Sequence, residues 1–293
     1  MASNVGIVDW IIAARPKTLT ASILPVIAAH LLVARESTHP ISIPATALAL
    51  FCGLLIQVGT NYYNDIVDFK NGVDNEKRSG PQRLLQSGKV TERSMRRAAH
   101  FCFLGALFLG IPLVLKAGLP ILFIGLASIA LGYSYFSPPL KLAYRGLAEP
   151  FVIIFFGILA VVGIEWLHLQ TVSLSALLLG LQFGLLATVL LVVNNVRDFE
   201  VDAQHGKKTL VARFGRNFGI SEVLVFFMLC FLVSLCPLAV SRFPFDFFWI
   251  LPALLVVKAL FEGRTGCALN KTLATAAITH LIFGIGICAV LLS

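Results

Sequence analysis

The sequence predicts an all-α protein, a multi-pass bundle of about nine membrane-spanning helices that forms one domain over residues 1–293. Hydrophobic residues make up 58% of the chain and charged residues only 13%, about half the charged share of an average soluble domain. Several apolar segments approach the roughly 20 residues that a helix needs to cross a bilayer. Lysine and arginine residues also concentrate in alternate loops, as they do in membrane proteins with a fixed orientation.

Nine apolar segments follow one another along the chain, and each predicts one helix. They are residues 19–34, 42–62, 98–115, 118–136, 150–165, 173–193, 219–240, 246–261 and 273–291. Before them, the stretch from Val5 to Ala14 is apolar but short, and it contains Asp9. This stretch predicts a helix that lies in the membrane interface, with an unstructured start as the alternative.

The basic residues predict the orientation of the bundle. If the N-terminus is cytoplasmic, 20 of the 23 lysine and arginine residues fall on the cytoplasmic side, and the other side receives only Arg35, Lys116 and Arg242. This asymmetry follows the positive-inside rule, and it explains the formal net charge of +8 without a nucleic-acid partner. We therefore predict a multi-pass protein of the plasma (inner) membrane with a cytoplasmic N-terminus.

Two acidic stretches interrupt the apolar pattern on the cytoplasmic side, one after the second predicted helix and one after the sixth. Asp65 and Asp68 are three residues apart and Asn61 precedes Asp65 by four, so a helix would place all three on one face. Asp198 and Asp202 are four apart and would share a face as well. Charges at the mouth of a membrane helix are costly, which favours a function for these pairs over a merely solvated loop.

Clustered carboxylates repel one another unless a cation lies between them. Magnesium prefers carboxylate oxygens and completes its shell with water and substrate phosphates. The residues predicted to bind Mg²⁺ are therefore Asp65, Asp68, Asp198 and Asp202. Zinc is less expected, because no cysteine or histidine lies at metal-ligand spacing, although His205 is near in sequence.

Basic residues on the same side indicate what the cation would help to bind. Magnesium together with lysine and arginine is the usual combination for a diphosphate, and the apolar bundle behind it suits a long isoprenyl tail. The basic candidates are Arg15, Lys17, Arg78, Arg83, Arg197, Lys207 and Lys208. The positive-inside rule alone would also place basic residues there.

Four aromatic residues lie near the cytoplasmic end of the fourth predicted helix: Tyr133, Tyr135, Phe136 and Tyr144. Their ring faces could stabilise an allylic cation, or they could form an interfacial aromatic belt.

The two halves of the chain also show a weak sequence similarity, since each acidic stretch is followed by a glycine and a basic run. It suggests a pseudo-repeat that relates helices 1–4 to helices 5–8.

These motifs resemble those of the UbiA superfamily of intramembrane aromatic prenyltransferases. The resemblance rests on Asn61-x-x-x-Asp65-x-x-Asp68, on Asp198-x-x-x-Asp202 and on the nine-helix pattern. It implies magnesium-dependent transfer of a prenyl group from its diphosphate to an aromatic carbon, with the four aspartates catalytic. The residues expected to bind substrate are Asn61, Asn64, Arg15, Lys17, Arg83, Asn195, Arg197, Lys207, Lys208, Tyr133 and Lys141.

Within this superfamily the chain most resembles the 1,4-dihydroxy-2-naphthoate prenyltransferases of menaquinone synthesis. The most diagnostic run begins at Asn194-Asn195 and continues through Gly206-Lys207-Lys208-Thr209. The hydroxybenzoate branch carries a third aspartate four residues after the second, whereas the next acid here is Asp74. That branch also carries Tyr-x-x-x-Lys, whereas here Tyr133 is followed at that spacing by Ser137.

The resemblance implies a polyprenyl diphosphate and 1,4-dihydroxy-2-naphthoate as substrates, loss of CO2 and diphosphate, and demethylmenaquinol as the product. The same chemistry on 4-hydroxybenzoate or homogentisate is one alternative. A transporter is an alternative from a different class, but transporters place polar groups near the bilayer midplane and on both sides of it. The side opposite the acidic stretches carries few charged residues.

Overall fold

A computed structural model describes residues 5–72, 83–240 and 247–293, and every regular element in these ranges is helical. The α-helices are α1 (Ile7–Ala13), α2 (Pro16–Glu36), α3 (Ile43–Lys70), α4 (Glu92–Ala117), α5 (Leu119–Ser134), α6 (Leu142–Arg145), α7 (Ala148–Val152), α8 (Leu159–Leu169), α9 (Leu174–Gln204), α10 (Leu210–Phe214), α11 (Arg216–Ser234), α12 (Ile250–Phe261) and α13 (Leu269–Leu292). A π-helical turn, Ile153–Ile158, joins α7 to α8 in one continuous helix.

Seven of the described helices are long and apolar enough to cross a membrane, which confirms a multi-pass helical bundle. Two more, α5 and α12, are apolar but have only 16 and 12 residues. At 1.5 Å per residue they span about 24 and 18 Å, less than the roughly 30 Å of a hydrocarbon core. Helices lie at all nine predicted places, but the number that crosses the membrane stays a prediction, as does the internal repeat.

The two acidic stretches belong to helices and not to the loops after them. The predicted apolar segments stop at residues 62 and 193, whereas α3 continues to Lys70 and α9 to Gln204. Hydropathy falls where polar side chains begin, but backbone hydrogen bonding continues through them, so the sequence estimate ended both helices early. The helical spacing assumed for Asp65 with Asp68 and for Asp198 with Asp202 is therefore confirmed.

A helix also forms in the short N-terminal stretch, where α1 exposes Ile7, Val8, Ile11 and Ile12. Two hydrogen bonds attach this segment to α3. The Tyr62 hydroxyl donates to the carbonyl of Trp10 at 3.1 Å, and Nδ2 of Asn61 donates to the carbonyl of Ala14 at 3.0 Å. The segment is therefore held beside the acidic end of α3, while its location in the membrane interface stays a prediction.

The central helix is α9, most of whose apolar span is buried. It packs against α11, α13 and the π-helical turn, and at that turn the backbones come very close. A Cβ atom added to Gly184 would lie 2.5 Å from the carbonyl oxygen of Ile153 and 2.8 Å from its Cα. Small residues allow this kind of close helix approach in membranes, and here they bring α7 and α8 against the middle of α9.

Replacing Gly184 by alanine is expected to destabilise the fold by about 1–3 kcal/mol, because the atoms that a methyl group would meet are backbone and cannot rotate away. Thermal unfolding in detergent measures the change. Gly110→Ala is the matched control, since a Cβ there meets nothing within 4 Å and alanine is the better helix former. If the two variants unfold at the same temperature, the close backbone packing is not what holds α9 in place.

Candidate active site

The ends of α3 and α9 that carry the aspartates lie together at one mouth of a cavity of about 1000 Å³. Most of its wall is apolar and comes from α2 to α5, from the helix 148–169 and from α9. The polar residues at its mouth include Arg15, Asn61, Asn64, Asp68, Arg83, Asn194, Asn195, Arg197, Asp198, Asp202 and Lys207. The structure thus brings the two acidic stretches to a single site, as the sequence predicts.

Asp65 is the exception among the four aspartates, because it is fully buried and does not line the cavity. Nη2 of Arg15 lies 2.8 Å from its Oδ1, and Nε of Arg83 lies 3.4 Å from the same oxygen. Its Oδ2 is buried and accepts no hydrogen bond from the described residues. Two guanidinium groups therefore compensate this carboxylate, and its second oxygen is buried without a hydrogen-bond partner among the described residues.

Arg15 reaches Asp65 because of an unusual backbone conformation just before α2. Its φ and ψ are 59° and 60°, in the left-handed region, which costs a non-glycine residue about 1–2 kcal/mol. The ion pair with buried Asp65 offsets this cost. With the Asn64 amide oriented to satisfy both of its ends, its oxygen also accepts from Nη2 of Arg15 at 2.7 Å.

Asp68 lines the cavity and is held by two neutral neighbours. The Tyr144 hydroxyl donates to Oδ1 at 2.9 Å, and Nδ2 of Asn64, in the same amide orientation, donates to Oδ2 at 2.7 Å. Burial of Tyr144, together with the negative charge of Asp68, raises the pKa of this phenol above its ordinary value. The hydroxyl therefore stays protonated at neutral pH and remains a donor.

Asp198 is paired with the residue before it. Arg197 donates from Nε to Oδ1 at 2.8 Å and from Nη2 to Oδ2 at 2.6 Å. The same guanidinium donates to Oδ1 of Asn194 at 2.8 Å and to Oδ1 of Asn270 in α13 at 3.0 Å. Arg197, predicted to bind substrate, is thus buried and bound to Asp198.

Asp202 is 2% exposed, and Nζ of Lys207 lies 3.5 Å from its Oδ1. Its Oδ2 is buried and accepts no hydrogen bond from the described residues. Asp68 and Asp198 are near enough for their like charges to act on it. Asp202 is therefore a carboxylate with one uncommitted oxygen beside two others, an arrangement that favours a cation.

The remaining predicted residues fall into two groups. Asn61 and Asn195 line the cavity, and Nδ2 of Asn195 lies 3.5 Å from Oε1 of buried Glu149. Tyr133 bonds to the Tyr63 hydroxyl at 3.0 Å outside the cavity lining, and both Lys141 and Lys208 are exposed and also lie outside it. The side chain of Lys17, and the whole of Asp74, Arg78 and the run from Gly80 to Gln82, lie outside the described residues.

Sequence reasoning missed two contributors to this site. The sequence predicts only an aromatic face for Tyr144, whereas its hydroxyl bonds to Asp68. The sequence predicts no role for Glu149, which is 3% exposed next to Asn195. An acid at the start of an apolar segment was a usable signal for Glu149. No pattern in the sequence would have paired Tyr144 with an aspartate 76 positions away.

The oxygen atoms at the site fit a hard cation that is bound partly by protein carboxylates and partly by substrate. In the described ranges, no three histidine, cysteine, aspartate or glutamate side chains are close enough to hold a metal ion by themselves. The buried carboxylate oxygens that have no hydrogen-bond partner among the described residues are Oδ2 of Asp65 and Oδ2 of Asp202, and of these two residues Asp202 lines the cavity. Magnesium characteristically binds through one or two carboxylates, water and substrate phosphates, so these residues fit it better than they fit a closed protein cage.

Comparison with known proteins gives a consistent result. Residues 22–284 match the UbiA prenyltransferase family. The chain is 30% identical to the 1,4-dihydroxy-2-naphthoate octaprenyltransferase of Escherichia coli, over 95% of this chain and 94% of that protein. It is 28% identical to the 1,4-dihydroxy-2-naphthoate octaprenyltransferase of Mycobacterium leprae, over 97% and 96% of the two chains.

Solved structures share the fold. The apo structure of a UbiA homolog from Aeropyrum pernix matches with a TM-score of 0.69 and 16% identity, over 93% of this chain and 97% of that one. A UbiA homolog from Archaeoglobus fulgidus bound to DMAPP and Mg²⁺ matches with a TM-score of 0.60 and 16% identity, over 97% and 99% of the two chains.

Proposed function

The chain belongs to the UbiA prenyltransferase family, and on that premise we propose that it prenylates 1,4-dihydroxy-2-naphthoate. The donor is a polyprenyl diphosphate, and the products are demethylmenaquinol, CO2 and diphosphate. The observation that carries the proposal is a cavity with an apolar wall and with acidic and basic residues at its mouth. The charged mouth suits a diphosphate head, and the apolar wall suits an isoprenyl tail. The names of the relatives from Escherichia coli and Mycobacterium leprae support the acceptor.

The basic residues at the mouth would bind and orient the diphosphate. Arg15, Arg83 and Lys207 line the cavity and already lie beside carboxylates, so each can turn toward an anion without crossing the site. Mg²⁺ held by the aspartates would supply charge neutralisation that makes diphosphate a better leaving group. Asp202 and Asp68 would hold the cation from α9 and α3. Asp65 would act there once Arg15 and Arg83 shift toward the substrate, and Asp198 would act in the orientation that Arg197 gives it.

The acceptor ring would attack the allylic carbon as the bond from that carbon to the diphosphate oxygen breaks. Attack at the ring carbon that bears the carboxylate forms the new C–C bond, and loss of CO2 returns the electron pair to the ring. A carboxylate acceptor requires a cation. Arg83 is favoured over Arg197 because Arg197 donates four hydrogen bonds to Asp198, Asn194 and Asn270, whereas Nε of Arg83 lies 3.4 Å from Asp65. Tyr135 and Phe136 line the wall nearby, where aromatic faces favour positive charge.

The orientation proposed from the sequence places this mouth on the cytoplasmic side of the plasma (inner) membrane. The asymmetry of lysine and arginine supports it. Both substrates would then reach the site from that side, the diphosphate with its tail in the bilayer and the acceptor from solution. Family membership favours prenyl transfer over the transport alternative, while 4-hydroxybenzoate and homogentisate remain alternative acceptors.

Mass spectrometry of products from purified protein in detergent tests the proposal. We expect a prenylated, decarboxylated product from 1,4-dihydroxy-2-naphthoate and little product from 4-hydroxybenzoate or homogentisate at equal concentrations. Chelation with EDTA should abolish formation of the product, and added Mg²⁺ should restore it. Equal or faster product formation with another acceptor would overturn the assignment of the acceptor. Full activity in EDTA would overturn the role of the metal.

A further inference from the structure

Tyr144 contacts both acidic segments of the site. It lies in the short helix α6, between α5 and α7. Its hydroxyl donates to Oδ1 of Asp68 at 2.9 Å and accepts from Nδ2 of Asn71 at 3.0 Å, so it engages the last turn of α3. The opposite contact is with the segment after α9, because Nζ of Lys207 lies over the ring, 5.8 Å from its centroid. One side chain thus connects the two halves of the site.

Hydrogen bonds hold the backbone around Tyr144 to the segment that follows α9. The N–H of Lys208 donates to the carbonyl of Tyr144 at 3.2 Å, and Nη2 of Arg213 donates to the carbonyl of Arg145 at 2.9 Å. Gly146 has a φ of 71°, and a Cβ atom added there would lie 3.0 Å from the carbonyl oxygen of Lys208. The backbone of Tyr144 therefore belongs to the α9 side of the site, while its hydroxyl acts on the α3 side.

The hydroxyl determines how the Asp68 carboxylate is presented. One oxygen accepts from Tyr144 and the other from Asn64, so the plane of the carboxylate is fixed. Each carboxylate oxygen has two lone pairs. Oδ1 accepts from Tyr144 and, at 3.3 Å, from Asn64, whereas Oδ2 accepts from Asn64 and keeps one lone pair for a further partner. Because Asp68 lines the cavity, that capacity is available to a cation or its water shell. Groups that orient a metal-binding carboxylate typically change metal affinity 10–100-fold when they are removed.

We propose that Tyr144 is a positioning residue that couples the two acidic segments. Its hydroxyl orients Asp68 for the cation, and its ring holds the Lys207 ammonium over the mouth for the diphosphate. The proposal rests on the proposed function, because it assigns Asp68 to the cation and Lys207 to the diphosphate. It differs from a packing role in one testable respect, which is that the hydroxyl and the ring have separate effects.

Two variants separate these effects. Tyr144→Phe removes only the hydroxyl, and Tyr144→Leu removes the ring as well. Binding of Mn²⁺ alone, followed by electron paramagnetic resonance, reports the cation site without turnover. We expect Tyr144→Phe to weaken Mn²⁺ binding about 10-fold, to raise the Mg²⁺ concentration needed for half-maximal activity, and to regain most of kcat at saturating Mg²⁺. Tyr144→Leu should in addition raise KM for the prenyl diphosphate.

Tyr62→Phe is the matched control, since it removes a hydroxyl that donates to the Trp10 carbonyl and makes no hydrogen bond to a carboxylate of the described residues; its Mn²⁺ affinity should equal that of the wild type. Thermal unfolding of each variant is measured in parallel. If Tyr144→Phe binds Mn²⁺ within twofold of the wild type, the positioning role is wrong, whatever its unfolding temperature. If the wild type binds Mn²⁺ but makes no prenylated product, the proposed function is wrong. The Mn²⁺ affinity of Tyr144→Phe then still decides whether Tyr144 orients Asp68.

Discussion

Asp202→Asn is expected to lower the rate of prenyl transfer at least about 100-fold, the size of effect seen when a group that stabilises transition-state charge is removed. The side chain keeps its shape and size but loses its charge. Its buried Oδ2, which accepts no hydrogen bond from the described residues, is replaced by an amide or a neutral oxygen. A cation at the mouth would lose one carboxylate, and Lys207 would lose its partner at 3.5 Å.

Rates are measured with purified protein over a range of Mg²⁺ concentrations. Glu200→Gln is the matched control, because Glu200 lies two residues earlier on the same helix but is exposed and outside the cavity lining. It should retain nearly the wild-type rate. A rate for Asp202→Asn near that of the control at saturating Mg²⁺ would contradict the role given to Asp202.

Arg197→Leu is expected to destabilise the protein by about 3 kcal/mol, the low end of the cost of breaking a buried ion pair. The Arg197 side chain is only 4% exposed and that of Asp198 is 16% exposed, so water would compensate Asp198 poorly after the change. The bonds to Asn194 in α9 and to Asn270 in α13 would be lost at the same time. Activity should fall with stability, because Asp198 would no longer be oriented.

Thermal or denaturant unfolding in detergent measures this loss, and two further variants test its cause. Arg93→Leu removes an exposed arginine of α4 that lies outside the cavity lining, and it should cost less than about 0.5 kcal/mol. The double variant with Arg197→Leu and Asp198→Leu removes both charges, so it should be more stable than Arg197→Leu alone. A double variant as unstable as the single one would show that the ion pair is not the source of the loss.

The sequence predicted the features that depend on local spacing and on composition. Asp65 with Asp68 and Asp198 with Asp202 could be placed on helix faces because three- and four-residue spacings are sufficient for that. The charge asymmetry predicts that both pairs lie on one side of the bundle, and in the structure Asp68, Asp198 and Asp202 line a single cavity, while Asp65 is buried against Arg15, which also lines it. These inferences need no knowledge of which helices touch.

Tertiary packing determines the rest. That Asp65 is bound by Arg15 and Arg83 could not be predicted, because it depends on the left-handed conformation at Arg15 and on a chain path from a distant loop. Composition suggested Arg197 as a ligand for substrate, whereas its position against Asp198 and Asn270 is visible only in the fold. Exposure likewise separates Lys208 from Lys207 although the two are adjacent.

The acidic and basic residues at the mouth determine how the binding of one ligand would affect the affinity for the other. Four described carboxylates lie at the mouth or buried beside it, together with four cationic groups, and their formal charges cancel. These are Asp65, Asp68, Asp198 and Asp202 with Arg15, Arg83, Arg197 and Lys207. A dication entering alone would leave excess positive charge, and a diphosphate entering alone would leave excess negative charge. If the chain has the proposed function, each ligand would therefore improve the affinity for the other through a reciprocal coupling free energy, and the neutral mouth would favour the metal–diphosphate complex over either component.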